Sequence, residues 1–205
     1  MVYDGYCEKP ERILNITIDN YDGGFQTGTY FRERGHKRAL CIADNDICVD
    51  MERYQGFREG FASGTVEFVM IPMRKEERWE YYRRNLSMFQ SITAVFAVSD
   101  YYAMDLICFL QEQGIRVPEQ ISVAGFDDIP MCRMFCPTLT TVKHDGALRA
   151  KIAVEKLGEL KMGNLIQNEI RLPVSLVVRA STKYENRCLS CCTSTGLVFC
   201  AGLHI

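Results

Sequence analysis

Residues 92 to 128 read ITAVFAVSDYYAMDLICFLQEQGIRVPEQISVAGFDD, and the fold class follows from them. Two short runs of β-branched and other apolar residues, Ile92 to Val98 and Ile121 to Gly125, are typical of buried strands. Between them lies a pattern of helical spacing that begins at Asp100, a favourable N-cap, and stops at Gly114. A strand, a helix and a second strand of these lengths predict a parallel βαβ unit with a right-handed crossover.

The same alternation occurs nearer the amino terminus. Strands are predicted at Leu14 to Ile18, Arg38 to Ala43 and Val66 to Ile71, and helices at Asp22 to Arg34, Asp50 to Ala62 and Glu76 to Phe89. In the first of these helices Gly24, Gly28 and Phe31 share one face, and we expect the small residues to let the helix pack close to a sheet. This order of strands and helices indicates an α/β protein with parallel sheets.

After Gly125 the order of elements changes. An irregular stretch at 126–137 leads to a strand at Leu139 to Lys143, a helix at Gly146 to Lys161, and strands near Asn168 to Leu172 and Val174 to Arg179. A chain that leaves one sheet for another in this way is typical of two α/β lobes with a cleft between them.

The composition excludes several classes of protein. The 205 residues include 24 Lys and Arg against 26 Asp and Glu, so the net charge of -2 does not favour a nucleic-acid partner. With 47% apolar residues, the chain has enough apolar material for a globular core. Its start lacks a signal-peptide pattern, and no run approaches the roughly 20 apolar residues of a membrane span. Ten mostly scattered cysteines favour a reduced compartment, so we expect a cytoplasmic protein with no membrane partner.

Short phrases between Asn15 and Lys183 occur in the order found in one protein family. They are Ile18-Asp19-Asn20 with Gly23-Gly24, Arg34 to Arg38, Arg53 to Phe57, Ala94 to Phe96 with Ser99-Asp100, Gly114 to Pro118, Gly125 to Ile129, Pro137 to Val142, and Leu176 to Thr182. On these phrases the chain resembles the effector-binding domain of the LacI/GalR family of bacterial transcription regulators. Each phrase alone is a weak signal, and the shared order makes the resemblance specific.

The resemblance implies a two-lobe, periplasmic-binding-protein-like type I fold with parallel sheets around a small-molecule cleft. We expect residues 1–36 in the first lobe, 37–127 in the second, 128–183 back in the first, and 184–205 as an atypical tail. Family members begin with a helix-turn-helix head and the opening βα units of the first lobe, and nothing in this sequence corresponds to either. We therefore expect an incomplete first lobe, operator DNA as a partner only through the missing head, and a homodimer in the intact protein.

Arg53 and Asp127 are the first candidates for ligand binding. Arg53 lies early in a predicted helix and matches the family arginine that holds a sugar hydroxyl or a carboxylate, which suits a planar guanidinium. The alternative is an exposed arginine in a first turn. Asp127 follows a strand at the carboxyl edge of a parallel sheet, where open α/β sheets bind ligands, and it matches a family aspartate. Asp128 beside it is expected to cap the following turn.

Ser99 and Asp22 complete the candidate ligand-binding set. Ser99 follows a strand at a position where many family members carry an asparagine that binds the ligand. The shorter serine leaves either a lost contact or a water-bridged one. Asp22 matches a first-lobe polar residue near the ligand, and an N-cap explains it equally well.

The wall of the cleft departs from the family pattern. Ile47 and Val49 occupy positions where some members place polar or basic residues, and Met73 or Arg74 lies near a position often held by a stacking aromatic. A less polar wall is consistent with a partly apolar ligand or with a misplaced loop.

The tail contains a nominal zinc pattern. Four residues of the tail are spaced like a set of zinc ligands: Cys188, Cys191, Cys200 and His204. An extraneous, partly apolar tail is the simpler interpretation, and we predict neither a metal nor a cofactor.

The resemblance implies that a small-molecule effector, a sugar or a related metabolite, closes the lobes and shifts the balance between operator-bound and released states. A sugar-binding protein of a transport system shares the two lobes and is the first alternative. An α/β enzyme is the second, and it is disfavoured because the sequence contains no nucleophile motif, metal set or phosphate loop.

Overall fold

A computed structural model describes residues 2–3, 14–162 and 169–183, which form two sheets and their helices. The strands are β1 (Val2–Tyr3), β2 (Leu14–Ile18), β3 (Arg38–Ala43), β4 (Thr65–Met70), β5 (Ala94–Ala97), β6 (Ser122–Asp127), β7 (Thr140–His144), β8 (Glu169–Leu172) and β9 (Val174–Val177). The helices are α1 (Asn20–Glu33), α2 (Cys48–Phe61), α3 (Lys75–Arg84), α4 (Asp100–Glu112) and α5 (Gly146–Lys161), with short 3-10 helices at Leu86–Gln90 and Pro130–Arg133. The predicted α/β class with mainly parallel sheets is confirmed.

The larger sheet has six strands in the order β4-β3-β5-β6-β7-β9. All neighbours are parallel except β9, which runs antiparallel to β7. Buried apolar residues of α1 and α2 cover one face and those of α3 and α4 the other, which explains the uninterrupted apolar runs of β3, β5 and β6. The carboxyl ends of β3 to β7 therefore meet at one edge.

The smaller sheet contains the parallel strands β1, β2 and β8, with α5 beside β2. The backbone N–H of Asp19 donates to the carbonyl oxygen of Leu172 at 2.9 Å, so the end of β8 is joined to the start of α1. Among the helices of the described residues, none is long and apolar enough to cross a bilayer.

The chain divides between the two sheets differently from the predicted ranges. The sequence prediction places α1 in the first lobe with residues 1–36, but the helix packs along α2 on the larger sheet. It also returns all of 128–183 to the first lobe, but β7 pairs with β6, and β9 pairs with β7. Of the described elements after β6, α5 and β8 alone join the smaller sheet. The pairing of the strands decides which sheet each element joins. An apolar run in the sequence predicts a buried strand but does not reveal which other strand it pairs with.

The helices α1 and α2 touch backbone to backbone through two glycines on each. These glycines are Gly24 and Gly28 on α1, and Gly56 and Gly60 on α2. A Cβ at Gly24 would lie 2.0 Å from the carbonyl oxygen of Arg53, and one at Gly56 would lie 1.9 Å from that of Tyr21. Only glycine allows such an approach. The prediction that the α1 glycines pack on a sheet is therefore wrong, because their partner is a second helix.

We expect Gly56→Ala to lower the free energy of unfolding by about 1 to 3 kcal/mol, because its methyl group forces the two helices apart. This loss outweighs the gain of about 1 kcal/mol that alanine usually brings inside a helix. Gly158→Ala in α5 is the matched control, since a Cβ there meets nothing within 4 Å, and it should keep the gain. Urea denaturation followed by circular dichroism measures both. Equal effects at the two positions would contradict the close contact.

Candidate ligand-binding site

Arg53 is fixed in place by three contacts on the side of the larger sheet that carries α2. Its Nε donates to Oδ1 of Asn20 at 2.9 Å, and its Nη1 donates to the carbonyl oxygen of Val98 at 2.6 Å. The guanidinium lies 3.8 Å above the ring of Phe126. With 11% of its side chain exposed, Arg53 is not the solvated arginine of a first helical turn. Its Nη2 is directed to the next residue of β6, Asp127.

Asp127 ends β6 and meets Arg53 at the carboxyl edge. Its Oδ1 lies 4.0 Å from Nη2 of Arg53 and 3.8 Å from Nε2 of His144, which ends β7. Burial raises the pKa of Asp127 to about 6, Arg53 opposes that rise, and the charges of Asp100 and Asp50 add to it. The convergence of Arg53 and Asp127 at one edge therefore agrees with the sequence. Their role in binding a ligand stays a prediction.

Asp128 supports the turn after β6 and does not cap it. Its buried carboxylate accepts from Nη2 of Arg179 at 2.5 Å and from Nη2 of Arg133 at 3.4 Å. The residue before the 3-10 helix is Ile129, so the expected cap is wrong. Asp127 and Asp128 have φ angles of 121° and 53°, which L-residues rarely adopt, and the ion pair with Arg179 helps to hold this backbone.

The side chains of Ser99 and Asp22 accept hydrogen bonds from nearby residues of their own helices. Ser99, and not Asp100, is the N-cap of α4, with Oγ accepting from the backbone N–H of Tyr101 at 3.3 Å. At the start of α1 the N-cap is Asp19, so the alternative reading of Asp22 as the cap is wrong. The Oδ2 of Asp22 accepts instead from Gln26 at 2.6 Å. A ligand contact by either residue stays a prediction.

The sequence reading missed two residues of this edge. Asn20 is buried, accepts from Arg53, and donates from Nδ2 to the carbonyl oxygen of Ile18 at 3.3 Å. Asn20 lies in one of the phrases that carry the family resemblance, and this was the feature of the sequence that could have identified it. Burial lowers the pKa of His144 and the charge of Arg53 lowers it further, while the charges of Asp100 and Asp145 oppose the change. No local pattern marked His144, because its neighbour Asp127 belongs to a different strand.

Some of the segments that follow the strands at this edge also carry exposed apolar side chains. An exposed apolar residue follows each of β4, β3, β5 and β6, which are neighbours in this order across the larger sheet, and β6 is followed by Met134 as well. They are Met73 (73% exposed), Ile47 (63%), Tyr101 (69%) and Met131 (49%). Arg74 beside Met73 is paired with Glu77 at 3.7 Å. Ile47 and Met73 are thus exposed after β3 and β4, and a less polar wall against a ligand stays a prediction.

In the described part of the chain, no group of three or more His, Cys, Asp or Glu residues is placed to hold a metal ion. The nominal zinc pattern of the tail lies outside the described residues.

The sequence matches known proteins over most of its length. Residues 29–182 match the family of the periplasmic binding protein-like domain. The chain is 29% identical over 177 residues to the HTH-type transcriptional repressor PurR of Mannheimia succiniciproducens, covering 82% of this chain and 53% of that protein. It is 32% identical over 195 residues to the HTH-type transcriptional regulator DegA of Bacillus subtilis, covering 87% and 55%. The chain spans about half the length of these relatives.

Two solved structures share the fold. A ribose-bound LacI family transcriptional regulator from Enterococcus faecium superimposes with a TM-score of 0.80 at 24% identity, covering 90% of this chain and 71% of that one. A complex of the transcriptional regulator CelR with cellobiose gives 0.75 at 28% identity, covering 88% and 58%. The chain therefore belongs to the family of periplasmic binding protein-like domains. Its relatives are LacI-type regulators, which confirms the resemblance read from the sequence.

We expect Asp127 to make the stability of the chain depend on pH. The folded chain keeps a proton on Asp127 up to about pH 6, whereas an unfolded aspartate releases it near pH ~4. Relative to Asp127→Asn, the wild-type chain should therefore lose on the order of 1 to 2 kcal/mol of unfolding free energy as the pH rises through this window. Urea unfolding of both chains at several pH values measures the difference. If the wild type gains stability over Asp127→Asn between pH 4 and 6, the pKa of Asp127 is not raised.

Proposed function

We propose that this chain is the effector-sensing domain of a LacI/GalR-type transcription regulator and that it binds a sugar or a related metabolite. The site lies where β5, β6 and β7 end. The observation that carries the proposal is the convergence of Arg53, held by Asn20 and Val98, with Asp127 at the carboxyl edge of a parallel sheet. Ligands of open α/β sheets bind at such an edge.

The Arg53–Asp127 pair suits a ligand with neighbouring hydroxyl groups. Arg53 offers its outer N–H groups as donors, while the ionised carboxylate of Asp127 accepts from a hydroxyl. The separation of 4.0 Å between Nη2 of Arg53 and Oδ1 of Asp127 is too long for a direct hydrogen bond, so both groups keep capacity for a ligand. The relatives whose complexes contain ribose and cellobiose support a sugar as the ligand.

The output of the domain would be a change in operator binding. Closure of the two sheets around a ligand that prefers the closed form would shift the population between operator-bound and released states. In the intact protein we expect a helix-turn-helix head to contact DNA, a homodimer to match a palindromic operator, and the regulator to act in the cytoplasm without enzyme activity. The regulator names of the relatives favour this output over sugar transport.

We expect Arg53→Lys to weaken binding of the sugar at least tenfold, because lysine cannot keep the contacts to Asn20 and Val98 while also donating to a ligand. Isothermal titration with the best sugar from a thermal-shift screen that includes ribose and cellobiose measures the loss.

Arg58→Lys is the control for this change, because Arg58 is exposed on the same helix and lies over the ring of Tyr54. It should bind like the wild type. Equal affinity of Arg53→Lys and the wild type would remove Arg53 from the site, and the absence of any sugar ligand would contradict the proposed function.

A further inference from the structure

Arg78 places a buried charge inside α3. The buried residues of this helix are Arg78 and Tyr82, and 7% of the Arg78 side chain is exposed. Its Nε donates to Oδ2 of Asp105 in α4 at 2.6 Å, and Oδ1 of that carboxylate accepts from Nε1 of Trp79 at 2.9 Å. Because the side chain of Asp105 is 10% exposed, the two charges form a buried ion pair between α3 and α4.

Arg78 also holds the loop between β4 and α3. Its Nη1 donates to the carbonyl oxygen of Met73 at 2.7 Å and to that of Pro72 at 3.1 Å. Both residues lie after β4, at the carboxyl edge of the larger sheet. The N-cap residue of α3, Arg74, makes no side-chain hydrogen bond to the helix. The Arg78 guanidinium therefore ties this loop to α4.

The segment that follows β3 is joined to the same residues. The guanidinium of Arg78 lies 5.0 Å from the ring of Tyr102, whose hydroxyl donates to the carboxylate of Asp44 directly after β3. The charge of Asp44 acts on Asp50, and that of Asp50 acts on Arg53. One polar cluster thus joins α3 and α4 to the segments after β3 and β4, and its members are Arg78, Asp105, Tyr102 and Asp44.

The stability of the fold does not require a charged pair here. The cost of moving two charges out of water offsets much of their attraction, and well-packed apolar residues in place of a buried ion pair often leave a protein as stable or more so. An arginine provides what an apolar side chain lacks, several donors in one rigid plane. With them Arg78 reaches Asp105 and two carbonyl oxygens of the loop at once. The pair is therefore better explained by the loop that it holds.

We propose that Arg78 and Asp105 are positioning residues for the ligand site, because they fix the loop after β4 and so determine how Met73 meets the ligand. This inference rests on the proposed function. Neither residue touches the ligand, since protein encloses both side chains almost fully. Arg78 acts through the backbone of Met73, whose own side chain is 73% exposed. A loop held in one conformation before the ligand arrives loses less conformational entropy on binding.

Trypsin tests the hold on the loop without any ligand. Arg78→Met combined with Asp105→Asn removes both buried charges and the donors to the loop, while an asparagine still accepts from Trp79. Cleavage of a folded chain follows the population of locally open forms, so cleavage after Arg74 should become about tenfold faster in this double variant. Cleavage after Arg116, an exposed residue before β6, should stay as in the wild type, and so should the urea midpoint of unfolding.

Arg84→Met combined with Glu80→Gln is the matched control. It removes an ion pair of the same chemistry that is exposed on the same helix, so its cleavage rates and urea midpoint should equal those of the wild type. Unchanged cleavage after Arg74 in the Arg78 double variant would overturn the inference. Equal acceleration after Arg74 and Arg116 would overturn it as well, because the pair would then support the whole fold and not the loop.

Sugar binding tests the link from the loop to the ligand site. Ribose and cellobiose are titrated calorimetrically into the wild type and the Arg78 double variant, each with and without Met73→Ala. We expect the double variant to bind the better sugar about fivefold more weakly than the wild type, and to cause no further loss once Met73 is alanine.

Two results of these titrations would contradict the positioning role. One is an affinity equal to that of the wild type, and the other is the same loss with and without the Met73 side chain. If neither sugar binds the wild type, the proposed function fails, while the cleavage rates still decide whether Arg78 and Asp105 hold the loop.

Discussion

The backbone contact between α1 and α2 is the constraint on which the candidate site depends. Because glycines let the two helices touch, Asn20 at the start of α1 lies within 2.9 Å of Nε of Arg53 in α2. The second anchor, the carbonyl oxygen of Val98, comes from the residue after β5. A guanidinium held by two hydrogen bonds before a ligand arrives loses less conformational entropy on binding. The close helix pair thus prepares Arg53 for its proposed role.

A buried network on the other side of β6 places Asp127. Asp100 accepts from Thr141 of β7 and from the backbone after β6, and a Cβ at Gly125 would lie 2.3 Å from its Oδ1. The ion pair of Asp128 with Arg179 adds a further link to the chain beyond β9. These contacts hold the unusual backbone at the end of β6 and direct Asp127 towards Arg53.

Local sequence patterns were sufficient for the central strands and for the position of Asp127 at the end of one of them, whereas Arg53 was singled out by the family resemblance. The apolar runs around Phe96 and Ala124 are fully buried strands, and Asp127 was recognisable because it follows such a run. The partners of α1 and β7 were not predictable, because they depend on contacts between distant residues such as Gly24 with Arg53. The N-cap of α4 was assigned one residue late, since Ser and Asp are equally good caps and only the hydrogen bond from the backbone N–H of Tyr101 to Oγ of Ser99 identifies the cap.

A crystal structure of the chain with its sugar tests the central claim most directly. The account predicts that Nη2 of Arg53 and the carboxylate of Asp127 both lie within hydrogen-bond distance of ligand hydroxyls. It also predicts that Nε of Arg53 still donates to Asn20, as it does without a ligand. A sugar bound elsewhere on the chain, or an Arg53 that leaves Asn20 to reach the ligand, would contradict the account.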